Sequence, residues 1–350
     1  MLYALMHKLV RSAATHGASA DQILARAKAC SIHPYLYAAI KQGTVSSADL
    51  GIDRARLDKQ MLAFLIDQTA KIGLYHHTLK ILTESLGDAH IVLKGALLGQ
   101  ILMGDERWRD TSDIDIWVSP EHRDDAVMRC QKLGYQVALE PHLWATNQIY
   151  LSHDRLIPVE IHWALAPAPW ITPSFEEAFA RSRIVKSSRG LDVRILGDDD
   201  LYVHLLVHAH QHYFAIKTLC DLAAASDKLA IPQALLETCH LHRLERFANA
   251  VMRDITTDTN TPSARLVRLW FDTMLTDSHR GTMIFAEGSD HWAPIGVAIR
   301  AASMLLMDNP SVALDAASQV ILCGPHSIGR ICHKPYNAFR KCLNKWRKST

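Results

Sequence analysis

The sequence predicts an α+β fold, a mixed β-sheet core flanked by N-terminal and C-terminal helical regions. Three observations predict it. Apolar residues recur at helical spacing up to residue 86, short period-2 apolar runs occupy much of 90–196, and helical spacing returns from Asp198. The organisation implied is a helical region over 1–60, an α/β core over 61–197 and a helical region with a basic tail over 198–350.

Each element has its own signal. Residues 1–43 and 53–86 read as helical, and in the second stretch Leu62, Leu65, Ile66, Thr69, Ile72 and Leu79 mark an apolar stripe closed by Gly87. HIVLKG (90–95) reads as a short buried strand, ALLGQILMG (96–104) as a helix stopped by Gly104, and SDIDIWVS (112–119) as the next strand. In PEHRDDAVMRCQKLG (120–134), Pro120 suits a first helical turn and Gly134 a C-cap. YQVALE, NQIYLSH and IPVEIHWAL then read as strands, and RIVKSSRGLDVRIL as a hairpin turning at Arg189-Gly190. Asp198 to Asp200 supply N-cap and first-turn acids for LYVHLLVHAHQHYF, and Pro232 and Pro262 break later helices. There is no internal repeat and no low-complexity linker.

Composition narrows the class without naming partners. With 49% hydrophobic and 21% charged residues the chain has the make-up of a soluble globular protein, and a formal net charge of +2 singles out no partner. The tail differs: Arg330, Lys334, Arg340, Lys341, Lys345, Arg347 and Lys348 follow the last acid, Asp315. Phe339, Leu343 and Trp346 recur among them at helical spacing. That pattern suits either a basic amphipathic helix for an anionic partner or membrane surface, or a solvated terminal helix docked by Trp346. The seven cysteines (Cys30, Cys130, Cys220, Cys239, Cys323, Cys332, Cys342) form no C-x-x-C pair. A reduced, cytoplasmic protein without structural zinc is expected. The apolar run before Lys8 is too short for a signal peptide, and no stretch reaches the ~18 apolar residues of a membrane span.

The chemistry centres on RDTSDIDIWV (109–118). A strand alternates its faces, so Asp113 and Asp115 share one side and Ile114 and Ile116 the other. Like charges on one face need either open water or a cation between them. Trp117 and Val118 point to a covered central strand and so to a cation. An EF-hand would need a central glycine and a distal glutamate in register, a haloacid-dehalogenase strand end would carry Thr or Val where Trp117 stands and its apolar strand before the acids, and glycosidase acids need no such adjacency. What remains is a hard-cation site holding Mg²⁺ for phosphoryl or nucleotidyl chemistry. Lys94-Gly95-Ala96 joins a strand to a helix, where backbone N–H groups approach phosphate and Lys94 adds charge. IPVEIHW places Glu160 and His162 on one strand face, and three carboxylates from neighbouring strands can hold two metals ~3.5–4 Å apart.

The order LKG, R-x-T-S-D-I-D-I-W-V, a helix ending LGY and then VEIHW resembles the DNA polymerase β-like nucleotidyltransferase superfamily. Within it the chain is most similar to an uncharacterised bacterial nucleotidyltransferase family, from about Ile91 to the helical H…K…D segment LLVHAHQHYFAIKTLCDLAAA. The resemblance implies that Asp113 and Asp115 bind Mg²⁺, two ions in all, and that Glu160 is the third acid. It places Lys94 and Gly95 on the triphosphate of an NTP, ATP by expectation, with Arg109 and Ser112 beside it. The superfamily's glycine-serine pair is Gly95-Ala96 here, so that hydroxyl is absent.

The remaining candidates are weaker. His204, His208 and His212 fall at i, i+4, i+8, but no H-E-x-x-H forms, so a zinc site is disfavoured. His208, Lys217 and Asp221 either line the cleft between the core and the helical region or form an interhelical polar network. Cys239-His240-Leu241-His242 reads as structural, and Walker A, G-x-G-x-x-G and G-x-S-x-G are all absent. The expected reaction is transfer of a nucleoside monophosphate with release of pyrophosphate, to a peptide, small molecule, saccharide or RNA that the sequence does not specify. Kinase-like phosphoryl transfer, a toxin-type nucleotidyltransferase acting on RNA or protein, and a non-catalytic nucleotide-binding module are the alternatives.

Overall fold

A computed structural model describes residues 1–15, 17–139, 147–166, 170–212 and 216–256. The basic tail, Pro262 and three of the cysteines lie outside the described residues. Four helices lead: α1 (Leu2–Thr15), α2 (Ala20–Ala29), α3 (His33–Lys41) and α4 (Ser47–Leu50). The run expected as helical over 1–43 is divided because Ser19 opens α2 with a capping box to Gln22, and Pro34 opens α3. Helix α5 (Arg54–Leu86) starts at the Asp53 N-cap and stops at Gly87, so one helix runs unbroken across residue 60.

Its buried stripe corrects part of the sequence reading. Leu62 and Ile66 are 61% and 64% exposed, whereas Leu57, Phe64, Gln68, Ile72, Tyr75, Leu79 and Leu82 face inward. The first half of α5 packs on α3, with Phe64 against Tyr37 at 4.8 Å, and only the second half reaches the sheet. A single helix serving two partners keeps one continuous face, and that face runs through Phe64 rather than Leu62.

The sheet follows as β1 (Ile91–Val92), α6 (Ala96–Met103), β2 (Ile114–Trp117), α7 (Arg123–Lys132), β3 (Gln136–Leu139), β4 (Gln148–Ser152) and β5 (Val159–His162). Then come α8 (Phe175–Arg181), β6 (Arg183–Lys186), β7 (Asp192–Ile195), α9 (Asp198–Gln211), α10 (Ile216–Lys228), α11 (Gln233–Thr238) and α12 (His242–Thr256). Pro120 begins a short 3₁₀ turn ahead of α7, and the N-cap of α9 is Gly197, with Asp198 to Asp200 forming its first turn. The strand order is β3-β4-β5-β2-β1-β7-β6, a mixed sheet in which β2/β5 and β1/β7 are parallel. Strand β2 is therefore the central strand.

Pairing of β2 with β5 sets Ile114 beside Val159, Asp115 beside Glu160, Ile116 beside Ile161 and Trp117 beside His162. Ile114, Ile116, Val159 and Ile161 join one apolar cluster with Ile72, Tyr75, Leu79 and Leu82 of α5 and Ala126 and Cys130 of α7. Each such side chain contributes about 1.5–3 kcal/mol on burial. A one-residue slip of β2 would put Asp115 into that cluster, so the apolar face locks the register of the polar one. Trp117, on the opposite face, belongs to a second cluster that joins the leading helices to α8, α9, α10 and α12 and stacks edge-on against Phe175. Among the described residues no helix is long and apolar enough to cross a membrane, and Cys30, Cys130, Cys220 and Cys239 are free thiols.

Candidate active site

Lys94, in the turn between β1 and α6, links the polar face of β2 to α9, its ammonium lying 3.2 Å from Asp115 Oδ1 and 2.8 Å from His208 Nε2. That turn depends on Gly95, whose φ of 96° is a conformation side chains rarely adopt. A Cβ there would come within 2.6 Å of the Tyr75 hydroxyl, which itself donates to the Lys94 carbonyl at 3.4 Å. Arg109 braces the turn from the other side. Its Nη1 donates to the Gly95 carbonyl at 3.1 Å, while Nε and Nη2 donate to the two oxygens of Asp221 at 2.9 and 3.1 Å. Tyr35 also donates to Asp221, and Tyr35, Arg109 and Asp221 are all buried. Burial alone would raise the Asp221 carboxyl, but the Arg109 guanidinium holds it below the ordinary range. Arg109 and Asp221 thus form a buried latch that ties the glycine turn to α10.

Asp115 is wholly buried. Its Oδ1 lies 3.2 Å from Lys94 Nζ and 3.1 Å from His162 Nε2, and its Oδ2 has no hydrogen-bond partner. Burial would raise this carboxyl, yet the Lys94 charge and the His162 hydrogen bond hold it well below the usual carboxylate range. Glu160, beside it in the sheet, accepts from Gln148 at 3.2 Å and lies 3.4 Å from His162 Nε2. Burial, reinforced by the Asp115 charge, pushes Glu160 up although His162 pulls the other way. Burial would lower His162, but its hydrogen bonds to both carboxylates raise it.

The remaining predicted residues fall around this centre. Asp113, half-buried ahead of β2, lies outside the tightest grouping, but its charge acts on Lys94, Tyr150 and Lys217. Ser112 is exposed. The Lys94 ammonium donates to His208 Nε2 at 2.8 Å, and burial together with that ammonium keeps His208 neutral, well below its ordinary value. His204 is pushed down to about 3 by burial and by the Lys94 and His162 charges, and both its ring nitrogens lack partners. Lys217 is half-buried, and burial and the Arg109 charge lower it. Tyr75 and Tyr35 carried no sequence signal, since an aromatic on a helix reads as core until its hydroxyl partner is known.

Asp115, Glu160 and His162 place one ligand atom each within 4.8 Å of one another, the only such grouping of three found among the described residues. The histidines of α9 do not form one. Two carboxylates, an imidazole and an unpartnered buried carboxylate oxygen fit a divalent cation, because a buried polar atom is ordinarily paired to protein, water or an ion.

A family model described as an uncharacterised nucleotidyltransferase matches residues 16–255. The chain belongs to that family. The match spans α2 to the penultimate residue of α12 and includes every strand of the sheet and every residue of the site. A search of the curated proteins finds no match.

Proposed function

We propose that this nucleotidyltransferase moves a nucleoside monophosphate from ATP to an acceptor hydroxyl and releases pyrophosphate. One observation carries the proposal. Asp115 and Glu160 stand side by side on the central parallel strand pair, with a buried carboxylate oxygen unpartnered and a lysine-glycine turn next to them. In the reaction the acceptor oxygen bonds to the α-phosphorus, and the bond from that phosphorus to the bridging oxygen breaks. Pyrophosphate leaves with the electron pair.

Asp115 and Glu160, with Asp113 or His162 completing the set, would hold a divalent cation that neutralises charge on the triphosphate and the leaving pyrophosphate. The backbone N–H groups at the start of α6, after the Gly95 turn, would face the triphosphate, and the Lys94 ammonium is its counter-charge. Arg109 acts through Gly95 as a positioning residue, held in place by Asp221. Glu160 is also the candidate to take or orient the acceptor proton. Most of the rate enhancement would come from positioning and electrostatics in a water-poor site.

The test compares transfer of label from α-labelled and γ-labelled ATP, with binding of α,β-methylene ATP measured by calorimetry. Transfer of the α-label with pyrophosphate release is expected. Asp115→Asn should lower the rate by about 10³-fold or more, at or above the upper end of what loss of one transition-state electrostatic group costs. Transfer of the γ-label with ADP release would replace this reading with a kinase-like one. Failure of the wild type to bind the analogue would overturn it.

A further inference from the structure

The site's least expected member is His162, an imidazole within reach of Asp115 and Glu160 where the sequence reading had Asp113 complete the set. We propose that His162 Nε2 is a metal ligand alongside Asp115 and Glu160, and that this mixed set selects a first-row transition ion over Mg²⁺. The proposal deepens the metal-dependent reading above and rests on it.

Four observations support it. His162 is 4% exposed, so it is not a solvent-facing histidine. Its Nε2 faces both acids, at 3.1 Å from Asp115 and 3.4 Å from Glu160. The backbone enforces this: strand alternation puts Glu160 and His162 on one face of β5, and the parallel register sets that face against Asp115 and Trp117. Asp113, the residue that would complete an all-oxygen set, lies outside the grouping whose ligand atoms fall within 4.8 Å.

The chemistry of the set then decides the ion. Mg²⁺ is bound through hard oxygens in strict octahedral geometry and gives up its waters reluctantly. Imidazole suits the borderline first-row ions, so one nitrogen among two carboxylates tips the balance towards them. The Lys94 ammonium now at Asp115 Oδ1 need not oppose entry. It already donates to His208 Nε2, which keeps a partner for it when Asp115 turns to a metal.

The experiment uses the full chain without nucleotide and Mn²⁺ as the probe. Electron spin-echo modulation of bound Mn²⁺ should show a coupled imidazole nitrogen, and Mg²⁺ should compete only in excess. His162→Gln should abolish the nitrogen signal and weaken Mn²⁺ binding at least as much as the ~10–100-fold that losing an outer-shell partner costs. Mg²⁺ affinity should change much less, so the selectivity collapses. An absent nitrogen signal in the wild type would overturn the proposal, and that reading needs no variant to fold. A signal that persists in His162→Gln, or Mn²⁺ affinity lost in Asp113→Asn and kept in His162→Gln, would overturn it as well. Mn²⁺ bound through His162 with no nucleotide binding would instead overturn the proposed function and leave this inference standing.

Discussion

The two faces of the β2–β5 pair take alternate members of the same two strands and obey opposite rules. On one face Ile114, Ile116, Val159 and Ile161 are fully buried within a single apolar cluster. On the other face Asp115 and His162 are nearly as deeply buried, yet Asp115 Oδ2 and His162 Nδ1 have no partner. Both ring nitrogens of His204, on the helix above, are likewise unpartnered. The apolar face is complete as it stands. The polar face instead gathers titratable groups, Asp115, Glu160 and His162, whose ligand atoms fall within 4.8 Å of one another.

The largest effect on stability tests whether the two faces separate. Ile161→Ala removes a fully buried side chain and should lower the unfolding free energy by about 2–5 kcal/mol in urea denaturation. Mn²⁺ affinity of the folded protein should stay at the wild-type value. Loss of metal binding in step with stability would show that the faces act as one unit. A smaller effect is expected at the glycine turn. Gly95→Ala places a Cβ against the Tyr75 hydroxyl at a φ of 96° and should cost about 1–3 kcal/mol. Tyr75→Phe in the same chain should recover part of that, and a double-mutant cycle without coupling would mean the turn is strained by its backbone alone.

The smallest effect sharpens the polar side of the comparison. His204 titrates near 3 in the folded protein against an ordinary 6.5, so below pH 6.5 the unfolded chain takes up a proton that the folded one refuses. Stability should be intact above that value and fall as pH drops from 6.5 towards 3, by at most about 1.4 kcal/mol per pH unit for this residue. His208, also held below its ordinary value, acts in the same direction. Urea titrations between about pH 5 and pH 7 should show a shallower slope in His204→Gln. An unchanged slope would mean that His204 takes up its proton in the fold.

Much of this was legible in the chain, for a local reason. Two aspartates one residue apart in an apolar strand share a face whatever the rest of the protein does, and so do Glu160 and His162. The order of those segments carried the family, and the change of period from helical to alternating and back marked out the α+β architecture. Where the local pattern was ambiguous the reading slipped: Leu62 and Ile66 fit an apolar stripe as well as Phe64 does, and only packing against α3 chooses between them.

Tertiary structure alone decided how those faces meet. Placing β5 next to β2 in parallel requires a crossover that no local pattern encodes, and it is this neighbourhood that sets Glu160 beside Asp115 and turns His162 towards both. The Arg109–Asp221 latch and the Lys94–His208 contact join residues 112 and 114 positions apart. Each depends on helices that dock only once their apolar faces find the sheet. Short-range sterics and alternation dictated what each strand would offer. Long-range burial determined which charges would be forced together.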